Sequence, residues 1–110
     1  MATPINTFKT VTWDLSTTLE SIYEAPAITS TILLMAQVAN VADGPANVTA
    51  VHYDPGTLTS TELIKSFVVP PFDAVGVLTG KLVLTAGQKF YANASANNYL
   101  KITLSLLETR

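Results

Sequence analysis

The chain has 110 residues, a formal net charge of −2 and no cysteine. Charged residues make up 13% and hydrophobic residues 48%, so the size suits one domain, residues 1–110, that folds without disulfide or metal. Lys and Arg are dispersed singly, which leaves no basic stripe for nucleic acid; no apolar run approaches the ~20 residues of a membrane-spanning helix.

The N-terminal "MATPINTFKT" lacks a charged start followed by an apolar stretch, so no signal peptide is expected. Strand signals then recur at short spacing. "INTFKTVTW" is rich in Thr and Val, and "STTLESIYEAP" carries Leu19 and Ile22 and ends at Pro26. "STILLMAQVANV" reads as the central strand, with Ile32, Leu34, Ala36 and Val38 on one side and Leu33, Met35, Gln37 and Ala39 on the other. A strand apolar on both sides is expected to be covered on both.

Asp43-Gly44-Pro45 is turn chemistry, and "NVTAVHY" resumes the β pattern. The next break is "DPGTLTST", where Pro55 presets φ and Gly56 tolerates φ above zero. "ELIKSFVV" alternates until Pro70-Pro71, which cannot donate to a ladder. "AVGVLTG" and "KLVLTAG" read as short strands ended by Gly80 and Gly87. "QKFYANAS" alternates again, and Asn97-Asn98 forms a hairpin-type turn. The chain closes on Leu100, Ile102, Leu104 and Leu106 facing one way, with Lys101, Thr103 and Ser105 facing the other. Eight or nine such strands predict an all-β fold, a single antiparallel β-sandwich of jelly-roll type. The closing strand belongs inside a sheet, with its leucine row in the core.

Residues suited to chemistry are few. His52 is the only histidine, two residues from Asp54; side chains at i and i+2 share a strand face for trivial reasons. One histidine without cysteine argues against a transition-metal site. Glu20 and Glu24 are separate carboxylates on a solvated edge, and no phosphate-cradling or calcium loop is present. "NVT" at Asn47 and "NAS" at Asn93 match the glycosylation sequon by chance. No catalytic residue, cofactor or metal is therefore expected. Trp13 with Tyr23, Tyr53, Tyr91 and Tyr99 would suit a sugar-stacking platform, although aromatics in small sandwiches more often fill core and rim.

Two stretches, "IYEAPAITSTILLMAQVANV" and "GKLVLTAGQKFYANASANNYLKITLSLLE", resemble in order small virion structural proteins of tailed bacteriophages, of the capsid decoration (cement) or tail-associated type. They cover residues 22–41 and 80–108. One departure stands out: Ala27-Ile28-Thr29 occupies a turn where the resemblance implies a glycine, and isoleucine disfavours φ above zero. The turn must differ in type, or Ile28 must pack on something. The resemblance implies a non-enzymatic homo-oligomeric protein of the virion, made in the bacterial host cytoplasm. Its partners would be the major capsid protein or other virion proteins. A neck, tail or baseplate component is the close alternative, and a carbohydrate-binding module or small jelly-roll enzyme the distant ones.

The segment "FVVPPFDAVGVL" is crowded with apolar residues that one strand edge cannot bury together. It is expected to lie at a sheet edge or cross between sheets, exposing an interface built from Val69, Pro70, Pro71, Phe72 and Val75, with Phe72 as anchor.

Overall fold

In a computed structural model, described over residues 5–110, the last strand organises the first sheet. The nine strands are β1 (Asn6–Asp14), β2 (Glu20–Glu24), β3 (Ser30–Asn40), β4 (Ala46–Asp54), β5 (Thr59–Val69), β6 (Ala74–Gly76), β7 (Leu82–Leu84), β8 (Lys89–Ala94) and β9 (Leu100–Thr109). One sheet runs β1-β9-β3-β6, with β7 also pairing β3; the other runs β2-β8-β4-β5. All pairings are antiparallel. This interleaving of early and late strands in two facing sheets is the jelly-roll arrangement.

Strict alternation drives β9 into the middle. Leu100, Ile102, Leu104 and Leu106 are all fully buried, while Lys101 is exposed. Opposite them, β8 contributes Phe90, Ala92 and Ala94, and β4 contributes Ala46, Val48 and Ala50. The small side chains of the second sheet leave room for the leucine row and for Phe90, so the two inner faces interdigitate.

β3 departs from its expected regular alternation. Its register against β9 shifts between Leu33 and Met35. The bulge at Leu34 changes the phase: Thr31 and Leu33 face inward before it, and Ala36, Val38 and Asn40 after it. The expectation that both faces of β3 are covered also fails, because Leu34 and Met35 are 37% and 38% exposed on the outer face. The strand expected over "AVGVLTG" is shorter than its apolar pattern suggests. β6 and β7 are two pieces of one edge, each pairing β3; between them Val77 stays in the core, its N–H donating to Ala36 O at 2.9 Å, and residues 78–81 form the connection.

The loops gather at two ends. At one, Gly87 N–H donates to Ala25 O at 2.9 Å, and Gly87, at φ +85°, lies against Pro55. At the other, Asn40 N–H donates to Asp73 O, Val41 N–H to Tyr99 O and Ala94 N–H to Ser16 O, at 2.8 to 2.9 Å. As expected, the Pro70-Pro71 segment crosses from the second sheet to the first.

Leu104→Ala should cost about 2–5 kcal/mol, as large-to-small changes in a packed core do, and Leu104→Asp should abolish the cooperative melt. Lys101→Glu should shift stability by less than about 1 kcal/mol, since its pairing with Asp14 at 3.7 Å is solvent-exposed. Denaturant unfolding of the three variants checks all three outcomes.

Candidate functional site

The residues with chemical potential do not converge. His52 Nε2 lies 3.2 Å from Gln88 Oε1, whereas Asp54 Oδ1 accepts a hydrogen bond from Gly56 N–H within its own turn. Glu20 accepts from Ser16 Oγ at 2.7 Å, and Glu24 lies 3.7 Å from Lys89. A bulge at Ile22 puts these two carboxylates on opposite faces: Glu20 pairs with inward Ala92, Glu24 with outward Lys89. Among the described residues, no group of three His, Cys, Asp or Glu is placed to hold a metal ion, and no helix is long and apolar enough to cross a membrane. The aromatic residues are dispersed. Tyr53 and Tyr91 meet edge to face at 6.0 Å on the outer face of the second sheet, while Trp13 belongs to β1 of the first.

A partly buried polar cluster sits at one end of the sandwich, where Lys9 and Glu108 line a cavity with Thr29 and Arg110. Glu108 continues the inward row of β9 and is 8% exposed. Lys9 Nζ reaches it at 2.9 Å, and Tyr23 Oη, from the other sheet, donates to it at 2.5 Å. That uses the only Tyr23 proton, so Thr31 Oγ1 donates to Tyr23 Oη at 2.8 Å. The Tyr23 hydrogen bond, followed by Lys9, holds the Glu108 carboxyl below its usual range. Burial, followed by the bond to Glu108, pushes the Tyr23 hydroxyl up. Every member has a partner, and the Tyr23–Glu108 bond links the two sheets. Sequence reading missed it, although Glu108 has the same even parity as the buried leucines before it.

The residues expected to form an interface differ in exposure. Pro70 and Pro71 are exposed, and Phe72 projects from the turn at 74% exposure. Asp73 N–H closes this turn onto Pro70 O at 3.2 Å, and Phe72 takes φ +56°. Val69 is a correction: it is fully buried as the last residue of β5 and belongs to the core, so it offers no surface. Val75 is half-buried because it pairs with inward Val38 on β3.

Phe72 has two counterparts. Ile28 is 89% exposed at φ +57°, and Leu58 is 78% exposed at φ +54°. Three loop tips therefore each present a large apolar side chain from left-handed backbone. In the β4–β5 turn it is Leu58, not the expected Gly56, that adopts this conformation. Ile28 is the extreme case, since a β-branched residue is a true outlier there. The alternatives expected for this turn both fail: the backbone is left-handed and Ile28 packs on nothing. Strain of about 1–3 kcal/mol is held at a residue that contributes no burial.

A second apolar surface lies on the outer face of the first sheet. Phe8 pairs with Leu107, Leu107 with Ile32, and Ile32 with Val83. These four residues form one row across the sheet, with Phe8 74% and Val83 54% exposed, and Leu34 and Met35 lie beside it. The charged strand residues on this face are Asp14 and Lys101, which pair with each other.

No protein-family model matches the chain, and no curated protein matches it significantly. Among the solved structures similar in fold are these two. One is a subunit of Bacillus endospore appendages, described as disulfide-linked pili: 15% identity, a TM-score of 0.58, and coverage of 97% of this chain and 87% of that one. The other comes from virus-like particles of the extra small virus of the giant freshwater prawn Macrobrachium rosenbergii: 13% identity, a TM-score of 0.52, and coverage of 99% and 80%. Both belong to structural assemblies, and at these identities they show a shared fold.

Ile28→Asn should stabilise the isolated protein by about 1 kcal/mol, because asparagine tolerates the left-handed region and no buried contact is lost; a rise of several degrees in melting temperature would register it. The lowered Glu108 carboxyl contributes stability that is present above the ordinary carboxylate range and is lost as pH falls through its folded-state value. Melting temperature plotted against pH should show this acid loss, and Glu108→Gln should flatten it.

Proposed function

We propose that the chain is a bacteriophage virion structural protein, a capsid decoration (cement) protein that binds the assembled shell and stabilises it. The observation that carries this reading is the large apolar surface at Ile28, Leu58, Phe72 and the Phe8–Val83 row on a chain with only 13% charged residues. A free monomer rarely exposes so many large apolar residues. Strain retained at exposed Ile28 fits a residue kept for contact, because the isolated fold gains nothing from it. The likeness to a viral particle subunit and the sequence resemblance to phage virion proteins support the same reading.

The mechanism is mechanical. A protein bridging adjacent capsid subunits buries surface that exists only in the closed shell. Binding that favours the assembled state over the separated one stabilises it by mass action. Its partners are the major capsid protein and further copies of itself, its place is the virion, and no substrate is turned over. The likeness to an appendage subunit favours a second reading, a neck, tail or baseplate component. Disulfide linkage of the kind described for those pili is unavailable to a chain without cysteine.

Purified protein added to shells lacking it should bind and raise the temperature at which they come apart. Phe72→Ala should weaken that binding about tenfold or more, the effect of losing an interface anchor. Its own melting temperature should stay within a few degrees of the wild-type value, because Phe72 is exposed. Shells that neither bind the protein nor gain stability would refute the decoration role.

A further inference from the structure

The two sheets have four edges, and three are blunted. β2 is five residues long and bulged. β5 is longer but its register against β4 breaks twice, Ser66 sits at φ +49°, and Glu62 and Lys65 are exposed along it. The third edge is split into β6 and β7. These are the devices by which sheets avoid pairing with strangers. β1 is nine residues, "NTFKTVTWD", without bulge, break, proline or glycine, and its two charges, Lys9 and Asp14, are each paired with a β9 residue, Glu108 and Lys101.

The direction of its free backbone groups follows from the ladder. Ile5 and Arg110 exchange both N–H···O bonds, at 3.3 and 3.1 Å. Bonded pairs alternate, so Thr7, Lys9, Val11 and Trp13 bond to β9. Asn6, Phe8, Thr10, Thr12 and Asp14 therefore direct their N–H and C=O groups to the open edge, which no described residue pairs. The inward side chains of β1 are also incompletely covered. Trp13 pairs with core residue Ile102 yet remains 41% exposed.

We propose that the open edge of β1 pairs antiparallel with β1 of a second copy, joining two first sheets into one continuous sheet across a two-fold axis. A second copy fits because the strand complements itself. The register that uses all nine residues is centred on Thr10. It sets Asn6 opposite Asp14, Thr7 opposite Trp13, Phe8 opposite Thr12 and Lys9 opposite Val11, so no like charges face each other. Lys9 is already neutralised by Glu108. The pairing satisfies the open donors and acceptors of both strands, and brings Trp13 and Val11 of each copy beside uncovered partners. It also doubles the apolar outer face without adding an unpaired charge. This inference deepens the reading of the chain as an assembly subunit by naming its self-contact, yet it is tested without any shell.

Sedimentation of the purified chain should show a species of twice the 11.7 kDa chain mass. Thr10 faces its own copy on the axis, so Thr10→Lys or Thr10→Glu should each weaken the dimer at least tenfold, while an equimolar mixture of the two should restore it. Thr10 is exposed, so both variants should keep the β-type circular dichroism. If they do not, Thr10→Pro serves as the test, since it removes only the donor that points away from β9. A wild-type chain monomeric at all concentrations, an undiminished Thr10→Lys dimer, or a mixture that stays monomeric would overturn the proposal. None of these results touches shell binding, which is measured separately.

Discussion

The pairing of β9 with both β1 and β3 is the constraint on which the rest of the structure depends. It joins Asn6 to Thr109 and Ser30 to Thr109, so the first sheet forms only when the two ends of the described chain meet. Loop closure over so long a span is entropically unfavourable and slow. What offsets it is the run of four fully buried side chains from Leu100 to Leu106, packed against Phe90 and the small residues of β4 and β8. Glu108 then ends the row with a paired carboxylate, and Tyr23 ties that end to the opposite sheet. Outside this axis, little of the chemistry is organised.

The unusual features lie on the surface instead. Inside, polar groups are matched: no buried side-chain nitrogen or oxygen among the described residues lacks a partner. Outside, three loop tips hold large apolar residues in left-handed backbone, and an apolar row crosses the first sheet. A fold so well satisfied internally has no need of strain at Ile28 for its own stability. On the proposed reading, these unusual features serve contact with other chains.

Much of the fold was legible because alternation and turn chemistry are local. The β9 row, the break at Pro70-Pro71 and the turn at Asn98, which takes φ +66°, follow from neighbouring residues alone. The bulge at Leu34 did not follow, because Ile, Leu and Met satisfy either phase and only pairing with β9 decides between them. Val69 looked like part of an exposed patch because its neighbours are apolar; strand pairing with Ala46 draws it into the core. Phe72 was legible as exposed, since two prolines end the ladder before it. Ile28 was legible as an anomaly, but not as an exposed one. The openness of β1 was invisible, because an edge is a property of the whole sheet order.

The central claim is that this chain is a many-copy subunit on a closed shell, and its stoichiometry in purified particles tests that most directly. Quantitative mass spectrometry against the major capsid protein should find on the order of hundreds of copies per particle, as repetition over a symmetric shell requires. A count of about 6–12, the signature of a single ring, or absence from the particle would contradict it.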